Sequence, residues 1–200
     1  MTKDASRRST EEIFAAPVPN LVAMTAAINQ SLATSGLNAY SVRNTGIIAK
    51  KKRSILYKNG HTLPASAERL LAEAQSNVQH SRKLGRNLQR ANPNATRPAG
   101  TDAHHIVARE AAAAHPSRVL IFAVGIGIND ADNGVVLPRG KNARIPGLSG
   151  AAPHQHVHTA TYHANVVAEL YSADDVGDAG EIRGILRSIG GRLVRGQFAF

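Results

Sequence analysis

Histidine is the residue type whose positions in this sequence could support chemistry. Seven of the nine histidines lie between His104 and His163. A neutral imidazole can bind a divalent metal or take a proton from water, because its ordinary pKa of about 6.5 is close to neutral pH. Cysteine is absent, which excludes a thiol nucleophile, a Cys-ligated zinc site and a disulfide scaffold. The candidate chemistry therefore depends on imidazoles.

Two histidine motifs have spacings that suit one shared site. His104 and His105 are adjacent on a predicted extended segment, where neighbouring side chains point to opposite sides. One imidazole can therefore bind a metal while the other faces a different part of the same cleft. His154 and His158 have an i, i+4 spacing, which on a helix lets two imidazoles share one cation.

The predicted order of elements brings these motifs together. Asn133 lies at an Asn-Gly turn immediately before an apolar strand at 135–137, and a predicted helix over about residues 155–171 begins with the second motif. An Asn at that turn can hold a neighbouring His in one orientation through its amide. This order predicts a β-hairpin followed by a helix, with one divalent metal between them. On that helix His156 and His163 would point elsewhere.

The same motifs resemble the AHH family of nuclease domains. They are AHHIV at residues 103–107, INDADNGVVLP at 128–138 and the closing H-T-x-x-Y-H at 158–163, and the resemblance covers about residues 95–171. That family belongs to the HNH/endonuclease VII superfamily and is common in C-terminal toxin modules of bacterial polymorphic toxin systems. The resemblance implies an α+β fold with a small ββα-metal (His-Me finger) core and helical additions.

The resemblance also implies a role for each residue of the first two motifs. It implies that His104 is a metal ligand and that His105 is the general base that deprotonates the attacking water. It further implies that Asn133 orients this base from across the hairpin.

The remaining ligands implied by the resemblance come from the third motif. His158 matches the ligand on the family's helix, and His154 is the second ligand by analogy with HNH toxins of the colicin type. His156 and His163 are the alternatives to His154. The implied cofactor is one divalent ion, and imidazole ligands suit Zn or Ni better than Mg, although open water positions would let Mg work.

The implied activity is metal-dependent endonucleolytic hydrolysis of nucleic acid, with DNA favoured over RNA. The resemblance to toxin modules implies an antibacterial effector with a cognate immunity protein and a secretion-system or chaperone partner. It would be made in the producer's cytoplasm, exported without a signal peptide and active in the cytoplasm of a target cell. The alternative is a non-catalytic, metal-stabilised protein that binds nucleic acid or a partner, but such a site would close its metal with four ligands.

The positive charge of the chain is confined to its first half. Residues 1–100 hold 15 Lys and Arg against 5 Asp and Glu, whereas residues 101–200 hold 9 of each kind. Such a surface binds phosphates without reading sequence. The basic side chains predicted to contact nucleic acid are Lys50, Lys51, Lys52, Arg53, Arg82, Lys83, Arg86 and Arg90.

Two domains are predicted on either side of a breaker-rich linker at 92–100. The first is a mainly helical basic region at 1–91, whose alternative roles are delivery and docking of an immunity protein, and the second is the nuclease domain at 92–200. The longest apolar runs, Val119–Val124 and Val135–Leu137, are far shorter than the ~20 residues of a membrane span, so no membrane partner is expected.

Overall fold

The computed structural model describes residues 54–141 and 143–200. Residues Lys51–Phe200 form one compact unit. Its strands and α-helices, in chain order, are β1 Tyr57–Lys58, β2 His61–Thr62, α1 Ala67–Ala74, α2 His80–Ala91, β3 Thr101–His105, α3 His115–Ala123, β4 Gly134–Pro138, α4 Ala160–Tyr171 and α5 Ala179–Val194. Single 3-10 turns precede α3, β4 and α4 at Ala112–Ala114, Ala131–Asn133 and His154–His156. The predicted α+β class is confirmed.

Strands β3 and β4 form the two-stranded sheet that carries the histidine pair. They are antiparallel, with His104 opposite Val135 and His105 opposite Gly134. Helix α3 lies in the connection between them, and α4 follows β4 along the chain. The predicted sequence of two antiparallel strands and a helix is therefore present, consistent with a small ββα-metal core.

Helix α5 supplies a large part of the hydrophobic core. Ile182, Leu186, Ile189 and Leu193 are fully buried and recur at helical spacing on one face. Burying each such side chain contributes roughly 1.5–3 kcal/mol relative to leaving it in water. This face packs on β4, where a Cβ added at Gly190 would lie 3.7 Å from the Cβ of Val135.

The hairpin β1–β2 turns through Asn59 and Gly60. Both residues have positive φ, at +49° and +84°, as a two-residue hairpin turn of type I′ requires. The turn packs tightly on α2, because a Cβ added at Gly60 would lie 2.2 Å from the carbonyl oxygen of Asn87. The first hairpin and α2 therefore belong to the same unit as the histidine-bearing strands.

The compact unit of residues Lys51–Phe200 extends across the predicted division at residue 91/92. Helix α2 packs against β4 so closely that a Cβ added at Gly134 would lie 2.6 Å from Cδ1 of Leu84. Leu84 is fully buried. The Pro- and Asn-rich stretch after α2 does break the helix. Hydrophobic packing nevertheless joins α2, which precedes this stretch, to β4, which follows it. The apolar pair at 47–48 predicts a further short strand, and it lies outside the described residues.

Helix α4 begins later than the sequence predicts. Thr159 is its N-cap, and its hydroxyl accepts a hydrogen bond from the backbone N–H of Tyr162 at 3.0 Å. His154–His156 form a separate 3-10 turn after Pro153. Within residues 54–141 and 143–200, no helix is long and apolar enough to cross a membrane.

Candidate active site

Three histidines from separate structural segments converge beside the sheet. His104 lies on β3, His154 lies in the 3-10 turn, and His158 lies just before α4. One ring nitrogen of each lies within 4.8 Å of the others, and Nε2 of His154 is 3.5 Å from Nε2 of His158. The structure therefore brings the three predicted ligands together. Their i, i+4 pair is formed by a turn and an extended link, so the helical register predicted for it is wrong.

The buried ring of His104 has the hydrogen-bond pattern of a metal ligand. Its Nε2 lies 2.9 Å from the hydroxyl of Tyr162, and that hydroxyl donates its proton to the carbonyl of Ile106 at 2.9 Å. The hydroxyl must then accept from His104, so Nε2 carries the ring proton and Nδ1 holds a lone pair. Nδ1 is buried without a hydrogen-bond partner. A cation would satisfy this orphaned acceptor, so these residues fit a divalent metal.

The electrostatic environment keeps these imidazoles in the form that binds metals. Burial lowers the pKa of His104 well below its ordinary value, and the charges of His158 and His154 lower it further. The pKa of His158 is also lowered, by burial and then by the charge of His154. Because only a neutral imidazole can be a ligand, protons compete weakly with a metal at this cluster.

Asp102 extends the cluster toward solvent. Its Oδ2 lies 3.5 Å from Nδ1 of His154, and Nε of Arg139 donates to the same oxygen at 3.2 Å. The hydrogen bond from Arg139 lowers the pKa of Asp102, so the carboxylate stays charged. A carboxylate on the second nitrogen of a ligand histidine orients the ring and raises its basicity. Asp102 was not predicted from the sequence, although it precedes His104 by two residues on the same strand.

His105 faces a different set of groups. Its Nε2 lies 3.2 Å from Oδ1 of Asn129. Because that oxygen can only accept, Nε2 carries the proton and Nδ1 holds the lone pair. Burial lowers the pKa of His105 from 6.5 to about 4, so the ring is neutral at physiological pH and its Nδ1 lone pair is free of a proton.

Asn133 does not have the predicted position. Its Oδ1 accepts from the backbone N–H of Val107 at 2.8 Å, and its Nδ2 donates to the carbonyl of Ile128 at 2.9 Å. The 3-10 turn at 131–133 aims this amide at the backbone beyond β3, so it joins two loops. The side chain that contacts His105 is Asn129. Both asparagines lie in the same INDADNG segment, and sequence spacing alone could not choose between them.

The two alternative ligands lie apart from the three converging nitrogens. His156 is exposed on the 3-10 turn. His163 is buried on α4, and its ring centroid is 6.4 Å from that of His158. Within the described residues, the group that could hold a metal beside β3 is therefore His104, His154 and His158.

A second His/Asp group is an ion-pair network. His61, Asp130 and Asp132 also bring ligand atoms within 4.8 Å of one another. However, Nη1 of Arg183 lies 2.8 Å from Oδ1 of Asp130 and 2.6 Å from Oδ2 of Asp132. Burial raises the pKa of Asp130, but hydrogen bonds from Arg183 and Thr62 outweigh it and bring the pKa below its ordinary value. A guanidinium already balances these carboxylates, and the network ties β2 to α5.

The predicted basic contacts have different outcomes. Arg82, Arg86 and Arg90 are exposed at four-residue spacing along α2, so they share one face. Lys83 instead pairs with Glu73 and lies 5.0 Å from the ring centroid of Tyr57, inside the packed unit. The remaining predicted contacts lie outside the described residues, and they are Lys50, Lys51, Lys52 and Arg53.

Comparison with known proteins gives one match. The model of a family described as "a nuclease family of the HNH/ENDO VII superfamily with conserved AHH" matches residues 85–193. This span includes the converging histidines, His105 and Asn129. The search of curated proteins and the search of solved structures found no match.

Proposed function

From the premise that this chain belongs to the AHH nuclease family of the HNH/endonuclease VII superfamily, we propose that it is a metal-dependent endonuclease that hydrolyses phosphodiester bonds. The observation that carries the proposal is the convergence of His104, His154 and His158, within 4.8 Å of one another, beside the neutral imidazole of His105. A metal site and a proton acceptor on adjacent residues are the two components that hydrolysis of a phosphodiester needs.

Each group of the site has a distinct task. His105 accepts the proton of the attacking water at Nδ1, while Asn129 holds its Nε2. His104, His154 and His158 would hold the ion, and Tyr162 holds the ring of His104 in the ligand tautomer. A bound divalent ion would supply positive charge that stabilises the negative charge developing on the phosphate. The all-imidazole set favours Zn or Ni over Mg as the resident ion.

Nucleic acid is bound through its backbone in this proposal. The exposed face of Arg82, Arg86 and Arg90 supplies cations at regular spacing, which suits phosphates and reads no base sequence. DNA is the proposed substrate. RNA presents the same phosphodiester group and is tested beside it.

The family resemblance supports a biological role as an antibacterial effector. In that role the chain is exported by the producer and acts in the cytoplasm of a target cell. A secretion-system or chaperone partner would deliver it, and a cognate immunity protein would protect the producer. Expression in a bacterial host tests the role: we expect growth arrest with degraded DNA from the wild type and normal growth with His105→Ala. Equal growth of both strains would contradict it.

Cleavage by purified protein tests the proposed chemistry. Metal-stripped protein is incubated with supercoiled plasmid and with total RNA, alone or with added Mg, Zn or Ni. We expect cleavage of plasmid only after metal is added, no cleavage by His105→Ala, and wild-type cleavage by the control His156→Ala, whose ring lies outside the site. Nucleic-acid binding without cleavage under every metal would favour the non-catalytic alternative.

A further inference from the structure

A line of hydrogen bonds runs from the turn after helix α1 to His105. It begins at the carbonyl of Ser76, which lies 3.0 Å from Nε2 of His80. Nδ1 of His80 lies 3.0 Å from Nδ2 of Asn129, and Oδ1 of Asn129 lies 3.2 Å from Nε2 of His105. His80 is 6% exposed and Asn129 is fully buried, so water cannot readily replace these contacts.

The carbonyl at the start of this line sets the direction of every bond in it. A carbonyl oxygen only accepts, so Nε2 of His80 carries a proton and Nδ1 of the neutral ring must accept. The amide of Asn129 turns its NH₂ group toward His80 and donates a hydrogen bond to Nδ1. Its oxygen then faces His105, whose Nε2 must carry the proton.

The amide of Asn129 has a second orientation within reach. Its Oδ1 also lies 3.2 Å from Nδ1 of His80, so both ends of the amide are close to that ring. Asn87 donates to the backbone carbonyl of Asn129 at 2.7 Å, a bond that does not fix the side-chain amide. The Asn129 side chain also hydrogen-bonds with the hydroxyl of Tyr57. In the rotated form an NH₂ group would face His105, and the ring proton would move to Nδ1. That tautomer has no lone pair at the atom that receives the proton from water.

We propose that His80 is a positioning residue that selects the amide orientation of Asn129 and thereby keeps the lone pair of His105 on Nδ1. The inference rests on the proposed function, because it assigns His105 the role of base. His80 lies before residues 85–193, the span matched by the family. A helix turn outside that span therefore completes the machinery that the base needs.

The tautomer of His105 is measurable without any activity. Long-range ¹H–¹⁵N correlation spectra of metal-free protein with labelled histidine report which ring nitrogen is protonated, and His105→Ala assigns the signal. Spectra are recorded at about pH 8, where an ordinary imidazole is neutral. We expect the Nε2–H tautomer in the wild type, and a mixture or the Nδ1–H tautomer in His80→Phe.

Two further variants separate the effect of hydrogen-bond direction at residue 80 from a general loss of stability. A glutamine at this position can donate through its amide nitrogen and accept through its oxygen, so His80→Gln should keep the wild-type tautomer. Asn87→Ala removes a buried bond from the same helix without touching the amide of Asn129. It should lower the melting temperature and leave the tautomer unchanged. If His80→Phe does not fold, Asn129→Ala breaks the line at its next member and should give the same mixed tautomer.

Kinetics then connect the tautomer to the reaction. His80→Phe should lower kcat for plasmid cleavage by about tenfold to a hundredfold with little change in KM, because the residue acts through the base and does not touch substrate. Rescue by His80→Gln supports the proposal. A folded His80→Phe or Asn129→Ala protein that keeps the Nε2–H tautomer overturns it. A tautomer that follows His80 in a protein that cleaves nothing supports the positioning role and refutes the proposed function.

Discussion

His104 and His105 are neighbours on one strand, yet different parts of the chain hold their two rings. The metal side is held by Tyr162 and by the segment from His154 to His158, which all follow the sheet in sequence. The base side is held by Asn129 and, behind it, by His80 at the start of α2. The two adjacent histidines thus join the C-terminal part of the compact unit to its N-terminal part.

His104 and Tyr162 on the metal side are fully buried, but the outer groups of the two sides differ in their exposure to water. On the metal side His154 is half-buried and His158 is exposed, so an ion and a substrate phosphate can reach them. On the base side Asn129 and His80 are buried. A metal site needs open positions for exchange and for substrate, whereas a general base needs one fixed tautomer. The comparison indicates that the groups that fix the position of a ring proton are buried.

The strongest test separates the two neighbours. His105→Ala should lower the cleavage rate roughly a hundredfold to ten-thousandfold while metal affinity stays close to wild type, because its ring serves the water and not the ion. His104→Ala should lose both properties. Single-turnover cleavage and calorimetric metal titration measure them. Equal loss of metal affinity in both variants would show that the two sides are not separate.

Within the metal side, the contributions of two histidines should differ. We expect His158→Ala to lower both metal affinity and activity by at least about tenfold. His163→Ala should have a milder effect, since its ring lies outside the three converging nitrogens. Metal titration of both variants checks this, and a larger loss in His163→Ala would mean that the assigned ligand set is wrong.

Tyr162→Phe tests the support of the metal side. Without the hydroxyl, Nε2 of His104 and the carbonyl of Ile106 lose their shared partner. Metal affinity should fall by about tenfold, while the tautomer of His105 stays unchanged. Calorimetry and the histidine spectra described above measure the two effects. A changed tautomer of His105 would show that the sides are coupled.

The arginine face of α2 should control salt dependence. Replacing Arg82, Arg86 and Arg90 by alanine should reduce the slope of log affinity against log salt by up to about 2.7, since each phosphate contact on duplex DNA contributes about 0.9. The matched triple substitution to lysine keeps the charge and should keep the slope. Binding of inactive His105→Ala protein to duplex DNA, titrated with salt, measures it. An unchanged slope in the alanine variant would favour delivery or partner docking as the role of this surface.

A further expected effect is on stability in acid. The pKa of His105 lies near 4 instead of 6.5, so between these values the unfolded chain binds a proton that the folded chain does not. The free energy of unfolding of metal-free protein should therefore fall as the pH decreases below 6.5, by up to about 1.4 kcal/mol per pH unit for this histidine. Denaturant unfolding at several pH values measures the slope. His105→Gln should flatten it, and an equal slope in this variant would contradict the assignment.

Local patterns in the sequence predicted much of the site. The alternation of side chains on a strand separates His104 from His105, and the order of the motifs predicts two strands and a helix. These inferences depend on neighbours along the chain. The spacing of His154 and His158 also predicted that their rings lie close together, although Thr159 caps the helix after them and a turn forms their pair.

Other features depend on contacts between distant residues. Asn129 and Asn133 share a loop, and the 3-10 turn between them decides which amide reaches His105. His80 reaches the site only because α2 packs on Gly134. Composition at 92–100 predicts a linker, and the basic region was therefore assigned to a separate domain. Composition does not show how the elements before and after this stretch pack on each other. Residues 51–91 hold 9 Lys and Arg against 2 Asp and Glu, so much of the basic excess belongs to the compact unit.

The ion-pair network also has a consequence for the order of folding. Asp130 accepts hydrogen bonds from Thr62 on one side and from Arg183 on the other. The loop that carries Asp130 also carries Asn129. The contacts of Asp130 with Thr62 and Arg183 join residues far apart in sequence, and such contacts form late because they close long loops. During synthesis this network cannot be completed before Arg183 has been made. The beginning of helix α5, through Arg183, must therefore be synthesised before the loop beside the base can reach its final arrangement.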